Sequence, residues 1–114
     1  MYLVRDTFNC KPGMAKELVK KFKQTIPFME EQNFKNVRIM TDVVSNYWTV
    51  VLEGEVESLA AFENHKGFTS QEKVKKIMAG YMDLVEGGKR EIFFFFLLII
   101  PLSVKIDRGF YLKL

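Results

Sequence analysis

The residues of this 114-residue chain best suited to chemistry are Arg5, Thr7, Tyr47, Thr49, Glu53 and His65. Arg5 and Thr7 stand two apart in one β-prone run, and Tyr47, Thr49 and Glu53 stand at even spacing in another. In strands, even spacing puts side chains on one face. If the two strands are neighbours, all five converge on a single cleft and become its candidate ligand contacts. An arginine there orients an anionic or enolic ligand, and a glutamate moves a proton. The competing reading of Arg5 and Glu53 is a structural ion pair, which gathers charges in the same way. His65 is the one side chain that titrates near neutrality without help. It is therefore a third catalytic candidate, against a surface or capping role, because no second histidine or conspicuous carboxylate flanks it. Cys10 precedes a helix start, which can lower a thiol pKa. Nucleophilic catalysis also needs a base, and none stands beside it. One histidine and one cysteine, far apart, cannot form a His/Cys metal site within the chain. No metal and no cofactor are expected.

These groups need strands and helices to hold them. Tyr47 to Val56 is β-branched, aromatic and alternating, and reads as a strand. One face carries Trp48, Val50, Leu52 and Val56 and calls for a helix over it. The other carries Tyr47, Thr49, Val51, Glu53 and Glu55, a mixture that suits a wet pocket or a second subunit. Residues 2–8 read as a first strand with faces Tyr2/Val4/Asp6/Phe8 and Leu3/Arg5/Thr7. Pro12 suits the first position of a helix. Ala15, Leu18, Val19, Phe22, Ile26 and Met29 then form an apolar stripe to about Gln32. Lys16, Lys20, Lys21 and Lys23 lie off that stripe, either as an anion-binding face or as a solvated one. Pro27 predicts a kink near Phe22–Lys23 or an early helix end.

Val37–Val44 reads as a second strand, joined to the 47–56 strand by a two-residue turn at Ser45-Asn46. A second helical region covers about 58–86 in two pieces. Thr69 to Glu72 forms a capping box, and Val74, Ile77, Met78, Tyr81 and Leu84 form an amphipathic stripe. Trp48, Phe62 and Tyr81 are expected in the core, and Met78 and Met82 as gap-fillers or an adaptable pocket lining. Gly87-Gly88 is expected to stop the helix before a last strand from Lys89. The order is βαββαβ, the ferredoxin-like arrangement: an α+β fold with a four-stranded antiparallel sheet and two helices on one face.

Composition bounds the rest. The length is that of one domain. With 48% apolar and 27% charged residues, the chain is an ordinary globular one. A net charge of +3 without a basic stripe interleaved with exposed aromatics does not point to nucleic acid. A single cysteine excludes an internal disulfide framework. With an opening run that lacks a basic leader, it fits the cytoplasm. Residues 92–100 are nine apolar residues in a row, too short to span a bilayer, so no membrane partner is expected. Uncharged β-prone windows of this kind aggregate when exposed. Residues 1–95 suffice for the domain, and 96–114 form an apolar extension, an added strand or hairpin.

Several of these features resemble the dimeric α/β-barrel superfamily, and within it the NIPSNAP-like branch. They are the strand Tyr2–Phe8, Lys11-Pro12-Gly13 leading into a helix, Ile26-Pro27, Trp48 to Glu53, and Ser58-Leu59. The resemblance covers roughly residues 1–95. It implies a homodimer whose sheets meet through their helix-free faces and enclose a barrel. A bare sheet face exposing Leu3, Tyr47 and Val51 asks for a partner on independent grounds. The superfamily includes cofactor-independent monooxygenases, lactone isomerases, haem-handling proteins and proteins without known activity. Fold alone does not choose among them. The expectation is a dimer binding a small, largely apolar ligand in the barrel cleft, with a monooxygenase- or isomerase-like reaction as its candidate activity. The alternative is a non-catalytic dimer without a ligand, and a weaker one is haem binding through His65.

Overall fold

The opening alternation forms strand β1, Tyr2–Cys10. The computed structural model describes residues 1–63 and 71–96. After β1 come helix α1 (Ala15–Glu31), strand β2 (Lys35–Thr41), strand β3 (Thr49–Val56) and the short helix α2 (Leu59–Glu63). Helix α3 (Glu72–Met78), a 3₁₀ turn (Tyr81–Asp83) and strand β4 (Val85–Phe94) complete the domain. The sheet has four strands in the order β2-β3-β1-β4. Every pairing is antiparallel. This is the ferredoxin-like α+β fold expected from the βαββαβ order.

β1 and β3 lie inside the sheet, so both edges of each are hydrogen-bonded to a neighbouring strand. Phe8 stacks at 5.2 Å on Phe22 of α1, which marks the Tyr2/Val4/Asp6/Phe8 face as the helix side. In register, Val4 opposes Gly54, Asp6 opposes Leu52 and Phe8 opposes Val50. Beneath the helices Val4, Val50, Leu52 and Val56 join Leu18, Phe22 and Met29 of α1 in one apolar cluster. The opposite face carries Leu3, Arg5 and Thr7 beside Val51, Glu53 and Glu55. The two-sided reading of both strands is thus correct from Thr49 onward.

The β2–β3 connection differs from the expected two-residue turn. β2 ends at Thr41 and β3 begins at Thr49, so residues 42–48 form a loop. Tyr47 and Trp48 both adopt positive φ, 61° and 54°. Two consecutive left-handed bulky residues break the pleat, and each conformation costs about 1–3 kcal/mol. Asp42 anchors the loop: its Oδ1 accepts from the Thr49 N–H at 3.0 Å. The Trp48 carbonyl accepts from the Cys10 N–H at 2.9 Å. Trp48 is consequently 45% exposed instead of lying in the core with Phe62 and Tyr81.

Other boundaries move for local reasons. α1 runs through Pro27 as one 17-residue helix, so the early end offered as one alternative does not occur. The missing proline N–H leaves only the carbonyl four residues earlier without its helical partner. α3 stops at Met78, because Gly80 takes a φ of 80° and the chain turns there. Gly87 and Gly88, expected to end that helix, lie within β4. A Cβ on Gly88 would sit 2.4 Å from the Thr7 carbonyl oxygen, so glycine permits the close approach of β4 to β1. Gln71 stands at the start of α3 without a side-chain cap. Thr69, the expected capping partner, lies outside the described residues, as do His65 and 97–114.

Candidate functional site

Register sets a charged row across the face opposite the helices. Arg38 opposes Glu53, Glu53 opposes Arg5, and Arg5 opposes Glu91. Glu53 is only 5% exposed. Its Oε2 accepts from Arg5 Nε at 2.8 Å, and Arg38 Nη2 lies 2.7 Å from its Oε1. The Arg5 guanidinium also lies 5.4 Å from the centre of the Phe93 ring, over its face. A buried carboxylate would be costly alone, and two guanidiniums offset that cost. Both Glu53 oxygens are therefore engaged, and a proton transfer at Glu53 would first have to break an ion pair. Arg5 retains donors beyond the one it spends on Glu53.

The other expected contacts divide. Thr7 sits one row along, opposite Val51 and Lys89. Thr49 ends the face near the β2–β3 loop. It is buried, and its Oγ1 has no hydrogen-bond partner among the described residues. The fold thus brings Arg5, Thr7, Thr49 and Glu53 onto one face. Tyr47 departs from it, since it lies in the loop and faces a groove beside α1. His65 falls outside the described residues.

A formed cavity lies on the other side of the sheet, between strands and helices. Its volume is about 410 Å³, with Phe8, Phe22, Met29, Leu52, Met78 and Tyr81 among its walls. One ion pair is set into this apolar wall: Arg90 Nε donates to Asp6 Oδ1 at 2.6 Å, and Nη2 donates to Oδ2 at 2.9 Å. Such a two-pronged pair is the strong geometry for arginine and carboxylate. The hydrogen bond that Arg90 donates to Asp6 raises the Arg90 pKa above its ordinary value, so the guanidinium is a fixed cation. Its plane also lies over the Phe62 ring at 5.3 Å. Asp6 and Arg90 were missed as functional residues. The signal was present, because alternation placed Asp6 between Val4 and Phe8 on the core face, where a lone charge demands a partner. Met78 lines this cavity as one of its two readings had it, whereas Met82 is exposed.

Cys10 is buried, and burial followed by the nearby Asp42 charge pushes its thiol pKa up. The lowering expected from a helix start does not occur, because α1 begins only at Ala15, beyond an intervening turn. Among the described residues no helix is long and apolar enough to cross a membrane.

Neither a family model nor a curated protein matches the sequence. Solved structures do match the fold. An uncharacterised NIPSNAP-like domain protein from Burkholderia xenovorans superposes with a TM-score of 0.75 at 12% identity, over 88% of this chain and 89% of that one. A NIPSNAP family protein of unknown function from Agrobacterium tumefaciens gives 0.71 at 16% identity, over 81% of this chain and 85% of that one. A candidate antibiotic biosynthesis monooxygenase from Chloroflexus aurantiacus gives 0.64 at 14% identity, over 80% of this chain and 88% of that one. Several structural neighbours are thus NIPSNAP family proteins. At these identities the likeness establishes the ferredoxin-like fold.

Proposed function

We propose that this chain is a homodimer that binds a small, largely apolar ligand in the cavity between its sheet and its helices. The observation that carries the reading is the 410 Å³ space walled by aromatic and thioether side chains, with one locked Asp6–Arg90 pair. Small-molecule sites have this make-up: a few hundred Å³, apolar walls and a small number of fixed polar groups. The Arg90 cation would orient an electron-rich or acidic group on the ligand. The monooxygenase-like neighbour makes an oxidation of such a ligand the candidate reaction, and an isomerisation is the alternative. The sheet face bearing Met40, Val51, Phe93 and the Arg38–Glu53–Arg5 row would be the subunit interface, since Met40 and Phe93 are about two-fifths exposed there and apolar sheet faces are costly to leave in water.

A second reading keeps the ligand between the two subunits. It is favoured by the donors left free on Arg5 and by the unpartnered Thr49 hydroxyl. A non-catalytic dimer is the third reading, favoured by the closed Glu53 ion pairs.

The uncharged apolar fluorophore phenylnaphthylamine separates these readings. Saturable binding that is lost in Met78→Trp, which fills the cavity, and kept in Arg5→Gln supports the cavity. Loss in Arg5→Gln with retention in Met78→Trp moves the site to the opposite face. Binding to neither leaves the non-catalytic dimer. A monomer by light scattering at all concentrations overturns the proposed interface.

A further inference from the structure

The lysines of α1 admit two readings, an anion-binding face or a solvated one, and the fold supplies a reason to choose. Lys16, Lys20 and Lys23 follow helical spacing and line one groove of about 690 Å³ together with the β2–β3 loop. All three are exposed. None of them joins an ion pair among the described residues. Across the groove stand Val43 at 98% exposure and Val44 at 93%, with Tyr47 and Trp48 behind them. Two aliphatic side chains almost wholly in water are not explained by folding. Nor is holding Tyr47 and Trp48 outward at positive φ. Asp42 is the acidic residue of the groove, and its carboxylate is engaged by the Thr49 N–H.

We infer that this edge of the molecule docks on an anionic lipid surface. The Val43-Val44 tip would enter the headgroup region, where buried aliphatic and aromatic groups leave water. Tyr47 and Trp48 are the residue types that settle at that interface. The three unpaired lysines would meet the lipid phosphates. Peripheral docking needs no spanning segment, so the short apolar run at 92–100 does not bear on it. The expectation of no membrane partner used spanning length as its criterion, and docking of this kind escapes it. Single-stranded nucleic acid, which also favours lysines and aromatics, has no use for two protruding valines.

Trp48 is the chain's one tryptophan, so its emission reports on this groove alone. The probes are vesicles of phosphatidylcholine and vesicles that also contain phosphatidylserine. The inference predicts a blue shift of Trp48 and co-sedimentation with the anionic vesicles only, weakening as salt rises. Lys16→Gln, Lys20→Gln and Lys23→Gln weaken binding about five-fold each, and about a hundred-fold together. Val43→Ser with Val44→Ser abolishes the blue shift while circular dichroism stays unchanged. Equal binding to uncharged vesicles overturns the inference, as does no binding to either. A shift with monomeric dodecyl phosphate but not with vesicles reassigns the groove to single amphiphiles. A fall in molecular mass in the valine variant reassigns it to a contact between copies. These variants leave 92–100 intact, so anionic-vesicle binding that they do not change belongs to that run and also overturns the inference.

Discussion

Replacing Glu53 by glutamine tests whether the charged row holds the sheet together. Glu53 is nearly buried and takes one arginine on each oxygen, at 2.8 and 2.7 Å. Glutamine keeps the volume but offers one acceptor, and its amide nitrogen turns a donor toward the second guanidinium. One charge-assisted bond is lost, and the other becomes a bond to a neutral oxygen. Bonds to charged groups contribute about 1.5–3 kcal/mol and neutral ones about 0.5–1.5 kcal/mol. The arginines are about half-exposed, so water screens part of this difference. The expected destabilisation is about 2 kcal/mol, or about 8 °C in Tm for a domain of this size. Thermal and urea unfolding followed by circular dichroism measure it. Glu57→Gln is the matched control: the Lys35–Glu57 pair has the same 2.8 Å separation but is fully exposed, and its loss should leave unfolding unchanged. Each variant is melted at two protein concentrations, because the proposed subunit interface on this face would make the Tm rise with concentration. A Glu53→Gln shift below about 2 °C would refute the reasoning, since burial would then give this pair no more weight than an exposed one.

Other perturbations have equally definite outcomes. Gly88→Ala forces β4 away from the Thr7 carbonyl and should lower the urea midpoint by an amount equivalent to about 1–3 kcal/mol, without changing far-ultraviolet dichroism. Because burial holds the Cys10 thiol pKa above its ordinary 9.0, the folded chain keeps its proton longer than the unfolded chain. The contribution to stability is complete below pH 9.0 and is lost as pH rises through the higher folded value, so unfolding at alkaline pH should show a decline that Cys10→Ala flattens. Deleting 96–114 should leave a chain that folds and self-associates, and failure of either would show that the extension belongs to the domain. Titrated haem should give no Soret shift, and a shift abolished by His65→Ala would instead establish that histidine as a ligand.

Much of this architecture was legible in the residues themselves. Periods of two and of 3.6 located β1, the α1 stripe and most of β3, and their order determined the ferredoxin-like topology. The pairing of Arg5 with Glu53 followed from the same alternation. Boundaries failed where one backbone dihedral decided them. Gly80 ends α3 seven residues before the Gly87-Gly88 pair expected to do so, and Tyr47-Trp48 break the pleat despite ideal strand composition. Such conformations depend on distant bonds, here Asp42 to Thr49 and Cys10 to Trp48, which no local pattern encodes.

The sites divide along the same line. Alternation along a single strand is local, so the chain itself dictated which side chains share a face. How far apart two layers stand, and which strand lies beside which, are properties of the packed whole. Only the tertiary structure could set Arg90 against Asp6, 84 positions earlier, leave a space beneath the helices, and turn the lysines of one helix toward the exposed valines of a distant loop.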